Sequence, residues 1–230
     1  MLTFFGRGNA FSEYNNSAYF MNGDELVLID FPMSSFYKLR LMLERERISA
    51  ARCTVLVTHT HGDHVGGIPT LIQYAYYVIH RRVDVIAPSD EVAEDLRCLI
   101  ARIEGCAADA YTIMTAKEAK RDWLLGTIPT KHAPELEGRC FGYLLDVDGS
   151  RVVYTGDTAV IEPFLPYLED GVKLYADVSL RSTPVHLHLD ELRKAVSGRN
   201  IEVYLMHLGD ENAVKDATAG TDMKLAPLED

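Results

Sequence analysis

Thr54-Val55-Leu56-Val57-Thr58-His59-Thr60-His61-Gly62-Asp63-His64-Val65-Gly66-Gly67 decides how this chain is read. An apolar, β-branched run gives way to six positions, His59 to His64, that hold three imidazoles and a carboxylate. Groups crowded this tightly must share a cation or repel and desolvate one another, so the stretch reads as a metal site fed by a buried strand. His59 and His61 are two apart, and side chains at that spacing project the same way as a chain leaves a strand. Asp63 and His64 lie one step further round the turn, within reach of a second cation. Gly66-Gly67 lets the backbone fold tightly against the site before a helix begins.

Outward from this turn, strands alternate with helices. Strands are expected at Phe4-Phe5, Ser17–Met21, Glu25–Asp30, Cys53–Thr58, Val83–Ala87, Gly126–Lys131, Phe141–Val147, Arg151–Thr155, Val172–Val178 and Ile201–Met206. Asn22-Gly23-Asp24 and Asp148-Gly149 are hairpin signals. Helices are expected over Ser34–Arg47 behind a Ser cap, Ile68–Val78, Ser89–Ile103 and Leu189–Val196, with Ala159–Glu169 helical only in part because Pro163 and Pro166 interrupt it. Lys215–Asp230 lacks periodicity and is expected to fray. The strong strands end in polar residues: Asp30, His59, Asp157, Asp177 and His207. That pattern places a site at the rim of a sheet.

A first cation would take His59, His61 and a distant third imidazole, for which His132 at a strand end is the choice. A second would take Asp63, His64 and His207, and Asp157 leaves its strand through Gly156 to bridge both. His80 has no partner pattern. Zn²⁺ suits His-rich ligation best, and Mn²⁺, Fe or Co would also fit a mixed nitrogen and oxygen site.

The ordered set His59-x-His61-x-Asp63-His64, His132, Gly156-Asp157-Thr158 and His207 resembles the metallo-β-lactamase superfamily of metallohydrolases. The opening Asn16–Phe20 and Leu26–Asp30 also look like that family's first hairpin. The resemblance spans nearly the whole chain and implies a single hydrolase domain over residues 1–230. It implies an α/β fold, an αββα sandwich of two β-sheets packed face to face with helices outside. One metal would be held by His59, His61 and His132 and the other by Asp63, His64 and His207, bridged by Asp157. Asp177-Val178-Ser179 and His186-Leu187-His188 resemble the ribonuclease Z-like phosphodiesterase branch. There an acidic residue supports an extra histidine that touches the scissile phosphate. His186 fits the spacing better than His188, and its partner would be Asp177 where the branch usually has Glu. The implied mechanism is attack of a metal-activated water on phosphorus, with Asp63 steering that water and His186 stabilising developing charge.

Net charge is −11, from 34 acidic against 23 basic residues, which argues against a long polynucleotide partner but not against a small anion beside paired cations. The basic arm with which transfer-RNA-trimming relatives hold their substrate cannot fit between His132 and Gly156, where two strands are expected. The profile looks more like the branch's compact phosphodiesterases that open cyclic nucleotides, including phage-type enzymes that defeat Pycsar signalling. The alternatives are ribonuclease Z-like RNA processing and thioesterase or lactonase chemistry on a carbonyl ester. The N-terminus carries no signal-peptide pattern and no run is long enough to span a membrane, so a cytoplasmic protein with reduced cysteines is expected. The Tyr-rich Leu71–Ile79 stretch is the expected contact of a homodimer.

Overall fold

The computed structural model describes residues 1–229. In chain order the elements are β1 (Thr3–Gly6), β2 (Ser17–Asn22), β3 (Glu25–Ile29), α1 (Met33–Glu44), β4 (Arg52–Leu56), α2 (Gly62–Val65) and α3 (Ile68–Tyr77). There follow β5 (Val83–Ala87), α4 (Asp90–Arg97), β6 (Tyr111–Thr115), α5 (Ala116–Ala119), β7 (Leu124–Pro129), β8 (Phe141–Val147) and β9 (Ser150–Tyr154). The chain closes with β10 (Lys173–Asp177), α6 (Leu189–Val196), β11 (Glu202–Met206), α7 (Glu211–Ala217) and β12 (Lys224–Leu225).

The strands form two six-stranded sheets, one in the order β1 to β6 and the other in the order β12 to β7. Each combines an antiparallel meander, β1-β2-β3 or β7-β8-β9, with parallel strands added beyond it. Strand alternation explains the layers. In β3, Leu26 and Leu28 face a core shared with α1, α3 and α4, while Val27 and Ile29 face the opposite sheet. In β11, Tyr204 and Met206 face the first sheet, and Val203 and Leu205 pack toward α6 and α7. Strands buried on both faces need helices outside, and the result is the expected αββα sandwich. Among the described residues, no helix is long and apolar enough to cross a membrane.

Polar ties join the sheets at both ends. Near the site, the Tyr143 hydroxyl donates to the Val57 carbonyl, and Asn16 Nδ2 donates to the Tyr154 hydroxyl at 2.7 Å. At the far end the buried Glu25 accepts from Thr54 Oγ1 (2.6 Å) and Trp123 Nε1 (3.1 Å), with Arg121 Nε 3.4 Å away.

Four local expectations are corrected. Ser34 does not cap α1: Pro32 occupies that place, and the Ser34 hydroxyl instead bonds the backbone and side chain of Asn15. The helix after Ser89 stops being α-helical at Arg97 and continues as a π-turn over Cys98–Ile103. Tyr111–Thr115 is a strand where none was assigned, because this half-exposed sheet edge lacks a clean apolar alternation. The C-terminal segment is ordered up to residue 229: α7 is capped by Asp210, β12 pairs with β11, and Phe4 exchanges backbone bonds with Pro227 and Glu229. A two-residue strand is too short to show a period, and its order comes from closing an open sheet edge. Asp230 lies outside the described residues.

Candidate metal centre

Strand polarity assembles the site. The parallel strands β3, β4, β9, β10 and β11 deliver their C-terminal ends to one edge of the sandwich, and the expected residues follow those ends. After β4, Thr58 and His59 continue the strand direction, His61 precedes α2, and that short helix carries Asp63 and His64. A Cβ on Gly67 would lie 2.6 Å from the Pro32 carbonyl oxygen and one on Gly66 2.6 Å from that of Gly62, which explains the glycine pair.

His59 Nε2 lies 3.0 Å from His61 Nδ1, and His132 Nε2 lies 3.2 Å from that same atom. Nitrogens bound about 2.1 Å from a tetrahedral cation stand roughly 3.4 Å apart, so this spacing suits a shared ion. The outward nitrogens are already engaged: His59 Nδ1 is 3.0 Å from Thr58 Oγ1, and His132 Nδ1 donates to the Val185 carbonyl at 2.7 Å. Both rings are therefore set as tautomers with an inward-facing lone pair.

The second group mirrors this. Asp63 Oδ2 is 3.3 Å from His64 Nε2 and 3.4 Å from His207 Nε2. Asp157 lies between the groups. Its Oδ1 is 3.4 Å from His64 Nε2, and its Oδ2 is 3.2 Å from His207 Nε2 and 3.6 Å from His132 Nε2. Gly156, ahead of it, has φ +60°, and a Cβ there would lie 2.6 Å from the Phe141 carbonyl oxygen. His64 Nε2 and Asp157 Oδ1 are buried without a hydrogen-bond partner. Buried groups are seldom left so, and a divalent cation between them supplies what both lack. The donor set fits the cations that the fold implies.

Electrostatics agree. Burial, reinforced by His64, holds His59 well below the usual imidazole range, and burial and His132 lower His61. Burial also disfavours charge on His64 and His207, but nearby carboxylates outweigh it. Asp157 and Asp30 raise His64 well above its ordinary value, and Asp157, Asp177 and Asp63 lift His207 to about 10. Against its own burial, Asp157 is pushed well below the usual carboxylate range by His207 and His64. Cationic imidazoles thus balance this carboxylate cluster wherever no metal does.

Two buried aspartates orient the ligands. Asp177 Oδ2 accepts from His186 Nδ1 at 2.8 Å and from the Thr158 backbone N–H at 3.0 Å, and its Oδ1 stands 3.5 Å from His207 Nδ1. The His186 ring lies 5.1 Å from that of His132 and 4.9 Å from that of His207, partly exposed at the mouth of the cluster. His188 turns away, caps α6 by accepting from the Asp190 N–H, and approaches the Leu180 carbonyl. His80 is exposed and takes no part.

The sequence marks Asp30 only as a polar strand end, yet the residue organises the site. Its Oδ1 accepts from the Thr58 N–H, and its Oδ2 accepts from Thr58 Oγ1 and His64 Nδ1, all at 2.8 Å. The available signal was a charged residue directly after Val27-Leu28-Ile29, where φ is +56°. The Val185 carbonyl was also missed, and a backbone acceptor carries no sequence signature.

Comparison with known proteins places these observations. The model of a family described as Anti-Pycsar protein Apyc1 matches residues 1–227. The anti-Pycsar protein Apyc1 of Bacillus phage vB_BveM-Goe7 is 31% identical over 239 residues, covering 91% of this chain and 89% of that one. Among solved structures, the metallo-β-lactamase fold protein YhfI from Bacillus subtilis superposes with a TM-score of 0.74 at 17% identity, covering 99% of this chain and 95% of that one. A diphosphatase of the PhnP family follows with a TM-score of 0.70 at 17% identity, covering 98% of this chain and 94% of its own. At those identities the solved structures establish the metallo-β-lactamase fold.

Proposed function

The chain belongs to the anti-Pycsar protein Apyc1 family, and from that premise we propose that it is a binuclear metal-dependent phosphodiesterase that opens a small nucleotide-type phosphodiester such as a cyclic nucleotide. The observation that carries this reading is the pair Asp177–His186, bonded at 2.8 Å beside the ligand cluster. An imidazole that is held by a buried carboxylate, outside both ligand triads, suits a charged phosphoryl oxygen better than a neutral carbonyl.

Two divalent cations, Zn²⁺ by preference for this donor set, would be held by His59, His61 and His132 and by Asp63, His64 and His207, with Asp157 between them. When bound, they supply Lewis-acid stabilisation of phosphoryl charge and lower the pKa of water in the site. The chain's own residues do the rest. Asp63 accepts a hydrogen bond from the attacking water and aims it at phosphorus. His186, whose pKa the Asp177 carboxylate raises against the pull of burial, donates to a phosphoryl oxygen as charge builds there. Asp177 accepts from Nδ1–H and favours the doubly protonated ring, whose second proton, on Nε2, is the one offered to the substrate, and so acts as a positioning residue.

Substrate size follows from what surrounds the site. Residues between His132 and Gly156 are taken up by a short 3₁₀ turn at Pro134–Leu136 and the β8–β9 hairpin, so that interval carries no RNA-gripping arm. Together with the charge of −11, this favours a small anion over a transfer-RNA precursor. We assign residues 1–230 to one hydrolase domain, working in the cytoplasm as a homodimer through the Tyr-rich α3 region.

The test is a panel on the metal-loaded protein: bis-p-nitrophenyl phosphate, 3′,5′-cyclic nucleotides, a transfer-RNA precursor, a thioester and a lactone. Hydrolysis of cyclic nucleotides is the expected result. Turnover confined to the carbonyl substrates, or to the RNA, would overturn it.

A further inference from the structure

The loop from Gly8 to Asn15, between β1 and β2, presents Phe11 with 96% of its surface exposed. The aromatic ring is displayed by an ordered loop. Asn9 Oδ1 accepts from the Phe11 N–H and from Ser12 Oγ, both at 3.1 Å. Asn15 Nδ2 donates back to the Asn9 carbonyl at 2.9 Å, and the Gly8 N–H donates to the Tyr14 carbonyl at 3.1 Å. Gly8 packs so closely that a Cβ there would lie 2.4 Å from that of Ser12.

This loop is fastened to the metal centre. The Leu208 N–H donates to the Arg7 carbonyl at 2.7 Å, and the Asn9 N–H donates to the Leu208 carbonyl at 3.0 Å. Leu208 directly follows His207, which itself adopts a left-handed φ of +57°. The loop therefore braces the His207 turn and stands on the rim of the ligand cluster. Tyr14, the loop's other aromatic residue, is already engaged beneath the Lys38 ammonium, 4.1 Å from its ring centroid. Phe11 is by far the more exposed of the two rings.

The ligand cluster itself is made of imidazoles and carboxylates, which suit a phosphate and its cations rather than a base. A ring held ready on a stiff loop loses little entropy when it is covered. Resting on the phosphodiesterase reading, we infer that Phe11 is the stacking platform for the base of the bound nucleotide. It determines preference for a nucleotide over a base-free phosphodiester and takes no part in the chemical step. Stacking tolerates any base, so the residue favours nucleotides as a class.

The experiment compares metal-loaded wild type, Phe11→Ala and Phe11→Trp on a 3′,5′-cyclic nucleotide and on the 3′,5′-cyclic phosphate of methyl riboside, which lacks the base. Calorimetry adds the Kd of a slowly cleaved phosphorothioate cyclic nucleotide, a readout independent of turnover. Phe11→Ala is expected to raise KM and Kd for the nucleotide by about tenfold and to cut the preference over the base-free ester by the same factor, with Phe11→Trp retaining both. An unaltered preference in Phe11→Ala overturns the inference, as does equal loss on both substrates, which would mark a collapsed loop. So does a rise in KM that tracks dissociation of a dimer by light scattering, because the ring would then cover a second copy of the chain. If wild type cleaves neither ester, the phosphodiesterase reading itself falls. If wild type cleaves both and Phe11→Ala matches it, only the stacking role does.

Discussion

Replacing Asp30 by Asn separates the role of one buried carboxylate from the folding of the chain. Asp30 is fully buried, and each of its oxygens is committed. Oδ1 accepts from the Thr58 N–H, while Oδ2 accepts from both Thr58 Oγ1 and His64 Nδ1. An asparagine must keep its carbonyl oxygen toward the Thr58 N–H, which cannot become an acceptor. Its NH₂ then falls where Oδ2 was, facing two donors. The Thr58 hydroxyl can rotate, but His64 can relieve the conflict only by moving its proton from Nδ1 to Nε2. Nε2 is the atom that lies 3.3 Å from Asp63 and 3.4 Å from Asp157, and once protonated it cannot bind a cation. Losing such an outer partner costs about 10- to 100-fold in metal affinity. Competition between Asp30→Asn and a chromophoric chelator should show one of the two equivalents weakened by at least tenfold, relative to wild type. Thermal unfolding in excess chelator checks that the variant still folds. Two equivalents taken up with wild-type affinity by a folded Asp30→Asn protein would refute the tautomer argument.

Other residues give independent checks. His186→Ala is expected to keep its metal stoichiometry while losing about 10²–10⁴ in kcat on a phosphodiester, and a full rate would remove His186 from the chemistry. For metal-free protein, His207 has a folded pKa of about 10 against 6.5 for the free side chain. Its stabilisation is therefore complete below the lower value and lost as pH rises through the upper one, so Tm in chelator should fall between pH 7 and 10. A Tm that stays level over that window contradicts the ion pairing. Glu25→Ala strips the acceptor from Trp123 Nε1 and Thr54 Oγ1 at the far end of the sandwich, while Arg121 keeps Asp84 at 2.7 Å, and should cost about 2 kcal/mol, lowering Tm by roughly 4–8 °C. Metal stoichiometry should survive that change, because Glu25 bonds Thr54 and Trp123 and no residue of the ligand cluster.

What could be read from the sequence was whatever is local or chemically unusual. His59, His61, Asp63 and His64 announce themselves because no core accommodates them unpaired. His132, Asp157 and His207 follow because each sits just past the end of a strand. Asp30 sits at such an end too, yet its partners Thr58 and His64 lie 28 and 34 positions away, and only the parallel pairing of β3 with β4 brings them together. The choice of His186 over His188 rested on spacing, and its physical basis is tertiary: His188 is consumed as a helix cap, whereas β10 carries Asp177 to within reach of His186. Tyr111–Thr115 and Lys224–Leu225 escaped because edge strands draw their order from neighbours rather than from their own pattern.

The outer partners of the two ligand groups differ in charge, and that difference gives the centre a direction. In the first group, His59 rests on the Thr58 hydroxyl and His132 on the Val185 carbonyl, both neutral acceptors. In the second, His64 is backed by the Asp30 carboxylate and His207 faces that of Asp177, one from each sheet. A carboxylate behind an imidazole makes its inward nitrogen the more basic ligand. The second group also contains Asp63 and so concentrates more negative charge around its cation. Cation uptake should therefore be stepwise, the tighter step belonging to Asp63, His64 and His207. It follows that Asp30→Asn must weaken the tight phase of a titration by about 10- to 100-fold and spare the weak one. Loss of the weak phase instead would mean that the neutral acceptors, not the carboxylates, set the stronger site.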